Sequence, residues 1–160
     1  MAGAQTITNP GVVYTSVSDY RTGMDDAGGE LPLGQVVFTF IADEAIQKGH
    51  VVRLANASQT SPPTVGVAEA GTDAPQTVIG VARNAAAAAG DLVEVVVLGF
   101  ALAQGDGSVT AGSWVTYNSA GRVASEATVD ATDVVGTLVG RALADDGSAG
   151  SLVPVWVMRV

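Results

Sequence analysis

The sequence contains no cysteine and a single histidine among its 160 residues. The lack of cysteine excludes disulfide bonds, thiolate nucleophiles and thiolate metal sites. Zinc and copper sites of the usual kind need several histidine or cysteine ligands, so His50 alone cannot form one. We expect His50 to be structural or solvent-exposed, and the fold to be stabilised by packing or by partner subunits.

Basic residues are also scarce: seven Lys and Arg stand against sixteen Asp and Glu, which gives a formal net charge of -9. A surface of this charge repels nucleic acid and anionic lipid, so neither is expected as a partner. The chain has no 18-residue apolar run, and its first residues lack the basic and apolar regions of a signal peptide. The sequence therefore predicts no membrane partner and synthesis in the cytoplasm.

Motifs for catalysis or cofactor binding are missing as well. There is no G-x-S-x-G elbow and no Walker-type phosphate loop. Paired carboxylates such as Asp145 and Asp146 could serve glycoside hydrolysis or calcium binding. Because these residues lie in Asp- and Gly-rich segments between predicted strands, we interpret them as turn residues. We predict that the protein is not an enzyme and binds no cofactor or metal. The alternative is a hydrolase that uses paired Asp residues, and its activity would be lost when Asp145 and Asp146 are replaced.

Short apolar runs rich in Val, Ile and Thr, bounded by Gly, Asp, Asn or Pro, follow one another from Gln35 to the end of the chain. This pattern predicts an all-β fold. The predicted strands cover residues 36–41, 50–56, 64–68, 77–83, 92–102, 113–118, 136–144 and 152–159. The segment 125–132 could form one turn or a short helix. We expect Phe38, Phe40 and Phe100 in the core. Trp114 and Trp156 could lie in the core or at an interface, and we favour the core.

An internal duplication is the most informative feature of this region. Residues 89–97 match residues 149–157 at an offset of 60, and residues 80–82 match residues 140–142 at the same offset. Upstream, residues 47–52 match residues 110–115 at an offset of 63. Two copies favour a small β-barrel or sandwich built from two pseudo-repeats, of about 35–98 and 99–160. Glycines inside strands, at Gly80 and Gly140, indicate bulges or a close backbone approach.

The first 34 residues differ from the rest, because Gly and Pro interrupt every short apolar run. We predict an extended N-terminal arm over 1–34 and a single β domain over 35–160. Arms of this kind usually need a partner surface to become ordered. The arm contains aromatic residues, Arg and Met, which are enriched at interfaces. We predict that the arm contacts a neighbouring subunit or another partner protein through Tyr14, Tyr20, Arg21 and Met24.

Two phrases of this acidic, cysteine-free, Ala/Gly/Val-rich chain carry a family resemblance: Ala-Gly-Asp-Leu-Val-Glu-Val at 89–95 and Val-Ile-Gly-Val-Ala at 78–82. Over about residues 35 to 160 the chain resembles the capsid decoration (cement) proteins of tailed bacteriophages. Two other strand starts, at 48–51 and 111–114, depart from the Ala-Gly-Asp-Xaa-Val pattern of many members. The resemblance implies a non-enzymatic structural protein on the outer capsid surface of the virion, commonly a homotrimer, with the major capsid protein as its partner.

One other function class shares the strands, the acidity and the lack of catalytic groups. A carbohydrate- or surface-binding β module of a phage fibre or adhesin has the same general composition. It would also require exposed aromatic residues on one face and a sugar-dependent binding signal. Those two properties distinguish it from a protein that binds a capsid lattice.

Overall fold

The computed structural model describes residues 8–9, 12–13, 34–55, 63–68, 78–126 and 138–158. The chain divides into two units, Met1–Gly34 and Gln35–Val160. In the first unit, β1 (Thr8–Asn9) pairs antiparallel with β2 (Val12–Val13). The extended form predicted for the rest of residues 1–34 lies outside the described residues.

The described part of the second unit consists of strands and connecting loops, which confirms the all-β prediction. The strands are β3 (Val36–Ala42), β4 (Val51–Leu54), β5 (Thr64–Val67), β6 (Val78–Ala82), β7 (Leu92–Gln104), β8 (Trp114–Tyr117), β9 (Val123–Glu126), β10 (Gly140–Ala142) and β11 (Leu152–Val157). The prediction of a turn or helix beginning at Ser125 was wrong, because Ser125 and Glu126 belong to β9, which pairs with β8 along its whole length. Residues 127–132 lie outside the described part.

Five strands close into a barrel, in the order β3-β5-β4-β6-β7, because β7 also pairs with β3. This closure decides between the two predicted architectures in favour of a barrel. The long strand β7 has two partners on one edge. Strand β3 pairs with its first half, Leu92–Leu98, and β11 pairs with its second half, Gly99–Gln104. We refer to residues 36–98 as the first barrel and to residues 99–157 as the second barrel.

The second barrel repeats the strand order of the first. From the second half of β7 the sheet continues through β11, β10, β8 and β9. A parallel bridge between Gly105 and Val123 then brings β9 back to the end of β7. The first barrel has the equivalent parallel contact between Ala42 of β3 and Val65 of β5. The duplication seen in the sequence is therefore a duplication of the whole strand arrangement.

Backbone hydrogen bonds recur at equivalent positions of the two barrels, with nearly equal lengths. Matched pairs are Gly49 N to Ala82 O (2.8 Å) with Gly112 N to Ala142 O (2.9 Å), and Gly90 N to Ala42 O (2.8 Å) with Gly150 N to Gly105 O (2.7 Å). These four glycines have positive φ angles, between 79° and 94°. The turns at the strand starts therefore need glycine for conformational reasons in both copies.

The predicted close approach at the two in-strand glycines is confirmed. A Cβ atom on Gly80 would overlap the carbonyl oxygen of Val96, and one on Gly140 would overlap that of Trp156. These contacts are equivalent, since both residues of the second pair lie 60 positions after those of the first. Glycine is required here because neighbouring backbones nearly touch.

The core consists of two clusters of buried aliphatic side chains. The first barrel encloses Ala42, Ile46, Val52, Val65, Ala82, Ala86, Val93 and Val95. The larger cluster fills the second barrel and also includes the outward-facing Val51, Val81 and Val96 of the first barrel. The outer face of the first barrel therefore packs against the second barrel, and burial of these side chains stabilises both.

Candidate functional site

The residues predicted as capsid or subunit contacts, Tyr14, Tyr20, Arg21 and Met24, lie outside the described residues. Within the described part, the most distinctive surface lies on the second barrel. Five strands that are neighbours in the sheet each contribute one residue to a continuous row. In order across the sheet the row consists of Glu126, Trp114, Arg141, Trp156 and Phe100. We call this set the aromatic row.

Strand alternation shows that the aromatic row points away from the barrel interior. The sequence neighbours Val115, Ala142 and Val155 are all buried in the core of the second barrel. Because successive side chains of a strand point to opposite faces, the row residues lie on the outside. Trp156 is 41% exposed, Arg141 is exposed, and Trp114 and Phe100 are half-buried.

The placement of several aromatic residues in the core was wrong. Phe100, Trp114 and Trp156 lie in the aromatic row, and Phe38 is 56% exposed. Of the five, Phe40 alone packs, partly buried, against the core of the first barrel. Valine and alanine fill both interiors instead, because a five-stranded barrel leaves little room for large side chains.

The arginine of the aromatic row is held in a defined orientation. Its guanidinium carbon lies 5.4 Å from the ring centroid of Trp114. Arg141 Nε also donates a hydrogen bond of 2.9 Å to the carbonyl oxygen of Gly112. A cation–π contact at an exposed position contributes about 0.5–1 kcal/mol. The row therefore places an oriented positive charge between two tryptophans.

Asp145 and Asp146 serve as turn residues, as predicted. The Asp146 carboxylate accepts hydrogen bonds from Gly107 N (2.6 Å) and Val109 N (3.2 Å). Asp145 accepts one from Ala111 N (2.7 Å). These aspartates therefore fix the loop after β7 against the loop after β10. The described residues contain no group of three or more His, Cys, Asp or Glu placed to hold a metal ion, and no helix long and apolar enough to span a bilayer.

The single histidine lies where the two barrels meet. A Cβ on Gly121, in the turn between β8 and β9, would lie 3.5 Å from the Cβ of His50. Val51, which follows His50 in the chain, donates a backbone hydrogen bond of 2.7 Å to the carbonyl oxygen of Gly121. The pKa of His50 is lowered, first by burial and then by the nearby positive charge of Arg122, while Glu44 acts in the opposite direction. His50 is therefore a structural residue of the contact between the barrels.

The sequence matches the phage cement protein family over residues 32–157, which include both barrels. The chain belongs to the phage cement protein family. It is a structural protein that binds the phage capsid, and hence a component of the virion. No curated protein matches the sequence.

A solved structure shows a similar fold: the N base of the head fibre gp8.5 of bacteriophage phi29. The TM-score is 0.56 at 19% identity, and the match covers 78% of the cement protein and 95% of that chain. At this identity the likeness concerns the fold alone.

Lowering the pH is expected to destabilise this cement protein through His50. The folded-state pKa lies below the usual value of about 6.5, so the unfolded chain takes up the proton first. The free energy of unfolding should fall as the pH drops below about 6.5, and this loss is complete once the pH is below the folded-state pKa. Urea unfolding between about pH 8 and pH 5 measures the effect. His50→Gln should be less sensitive to pH than the wild type, and equal pH dependence of the two would contradict the assignment.

Proposed function

We propose that this cement protein binds the outer face of the capsid lattice as a homotrimer and reinforces the shell without catalysing a reaction. The match to the cement family over residues 32–157 carries this proposal. The carboxylates of Asp145 and Asp146 support it, because both are engaged with backbone amides in turns. We further propose that the protein is made in the host cytoplasm and has the major capsid protein as its partner.

The charge of the chain suits a protein that coats the outside of a filled shell. A net charge of -9 keeps many copies soluble and disfavours binding to the packaged DNA. Each copy that binds the mature shell in preference to its unexpanded precursor stabilises the mature form by linkage. Trimers would add to this effect, because three linked contacts hold more strongly than one.

The direct test is co-sedimentation of the purified protein with mature shells and with unexpanded precursor shells. We expect saturable binding to mature shells and weaker binding to precursors. Bound shells should also dissociate at a higher temperature or denaturant concentration than bare shells. Absence of binding to both kinds of shell would refute the proposal.

We propose that residues 1–33 reach a neighbouring subunit or the major capsid protein through Tyr14, Tyr20, Arg21 and Met24. Removal of these 33 residues is expected to weaken shell binding by about tenfold or more, since anchors of these types typically contribute about 1–2 kcal/mol or more each. Co-sedimentation of the truncated and full chains measures the difference. The β domain should keep its far-UV circular dichroism and thermal transition, which serve as the control. Undiminished binding by the truncated chain would place the interface elsewhere.

One observation favours the second candidate, a carbohydrate-binding module. Trp114, Trp156 and Phe100 lie on one face of the second barrel, and such a module needs exposed aromatic residues on one face. Its other requirement is binding that free sugars inhibit. Screening the protein against host-surface glycans tests for it, and specific, sugar-inhibited binding that is lost in Trp156→Ala would favour this function.

A further inference from the structure

The aromatic row has a direct counterpart in the first barrel, because both barrels have the same strand register. That counterpart, in the same order, consists of Ala68, Val51, Val81, Val96 and Val37. Four of its members are at most 1% exposed, and Val37 packs against the same cluster. Equivalent positions of the fold are thus buried in the first barrel and exposed or half-buried in the second.

The second barrel covers this row of the first barrel. Gly49, at the start of β4, lies so close that an added Cβ would be 2.8 Å from Leu152 Cδ2 and 2.9 Å from Gln104 N. Gln104 N donates a hydrogen bond of 2.8 Å to Gly49 O, and its side chain donates one of 2.9 Å to Lys48 O. The covering surface therefore consists of the end of β7, the start of β11 and the turn after β8.

The equivalent start of β8 is uncovered. Gly112 corresponds to Gly49, and a Cβ added there would meet no atom within 4 Å. The residue types agree with this difference in burial. The buried row of the first barrel has small aliphatic side chains, and the exposed row of the second barrel has Trp114, Arg141 and Trp156 at the equivalent positions. Tryptophan and arginine are among the residues most enriched at positions that contribute strongly to protein–protein binding.

The first barrel carries the matching copy of the covering surface. The first-barrel equivalents of Leu152 and Gln104 are Leu92 and Ile41, which pair with each other as the second-barrel residues do. Leu92 is 61% exposed. We call Ile41 and Leu92 the leucine face.

We propose that the aromatic row of one chain is covered by the leucine face of a second copy of the same chain. The contact repeats between chains the packing that joins the two barrels within one chain. It uses different surfaces on the two partners, so it is heterologous and can close into a ring. This inference rests on the homotrimer of the proposed function and supplies its subunit contact: three chains would form a ring of six barrels.

A heterologous contact can be tested by breaking opposite sides in two separate variants. Trp156→Asp removes the centre of the aromatic row, and Leu92→Asp removes the centre of the leucine face. Each change is expected to weaken association by about 30-fold or more, as for residues central to an interface. By sedimentation velocity over a concentration series, the wild type should be a trimer and each variant a monomer. An equimolar mixture should form one-to-one dimers, because one intact row and one intact leucine face remain available.

Phe38→Asp is the matched control. Phe38 is an exposed aromatic residue of the first barrel, and its neighbour Val37, not Phe38 itself, belongs to the buried counterpart row. This variant should assemble like the wild type. Circular dichroism melts of all variants establish that they are folded. A monomeric wild type, trimeric single variants, or a mixture that stays monomeric would each overturn the proposal.

Shell co-sedimentation separates this result from the proposed function. A monomeric wild type that still binds mature shells would overturn the subunit contact while leaving capsid binding intact. If Trp156→Asp then lost shell binding, the row would be a contact with the capsid protein instead. If removal of residues 1–33 were needed to expose the row, its occupant would be the chain's own arm, which would also overturn the proposal.

Discussion

Replacement of Gly80 by alanine is expected to lower the free energy of unfolding by about 3 kcal/mol or more, and Gly140→Ala should have a similar effect. In each case the new methyl group would overlap a backbone carbonyl oxygen of the adjacent strand, that of Val96 or of Trp156. A side chain can rotate away from such an overlap, but a strand in the middle of a closed barrel cannot move without breaking its hydrogen bonds. Domains of this size are stabilised by only about 5–15 kcal/mol, so the loss is large.

Gly147→Ala is the matched control for these two changes. Gly147 has no atom within 4 Å of an added Cβ, and its φ angle is outside the left-handed region. Its replacement should alter stability by no more than about 0.5–1 kcal/mol. Chemical denaturation of the three variants and the wild type gives the comparison. Equal stability of Gly80→Ala and Gly147→Ala would show that the close backbone approach is not the reason for glycine in the strand.

Gly49→Ala is expected to destabilise the protein by about 3 kcal/mol, and the equivalent Gly112→Ala by only about 1–2 kcal/mol. Both glycines have positive φ angles, 88° and 79°, so both variants carry the conformational cost of a left-handed alanine. At Gly49, but not at Gly112, the methyl group would also press on Leu152 and Gln104 of the other barrel. The difference between the two variants therefore measures the packing between the barrels.

Urea denaturation, with the monomer state checked at the concentration used, determines both values. If Gly112→Ala proved as costly as Gly49→Ala, the start of β8 would be packed as tightly as the start of β4. That result would count against an uncovered aromatic row in the single chain. A loss of trimer by Gly112→Ala, with no more than the expected loss of about 1–2 kcal/mol in monomer stability, would instead support the subunit contact.

The sequence was sufficient to predict the class of fold and its duplication. Val-rich runs between Gly-containing turns predicted eight of the strands, and the offsets of 60 and 63 identified the equivalent residues of the two barrels. The strand Val123–Glu126 was not predicted, because Val-Ala-Ser-Glu has little of the β-branched and aromatic content that marks a strand. It is a strand because β8 offers it a partner.

The exposed aromatic face could not be predicted from alternation alone. Alternation separates the two faces of a strand but does not say which face another barrel covers. The useful signal was available in the aligned repeats: Val51, Val81 and Val96 align with Trp114, Arg141 and Trp156. A buried small residue in one copy and a large or charged residue in the other indicate that the two copies have different surroundings.

The strand β7, which spans Leu92–Gln104, belongs to both barrels, and this sharing affects how the domain comes apart. Each barrel uses one half of β7. Opening one barrel therefore frees half of a strand whose other half is still paired in the other barrel. We therefore infer that heat or denaturant melts residues 35–160 in a single cooperative step, despite their origin in two copies. For the same reason we expect two fragments produced by a cut within β7 to fold only when they recombine.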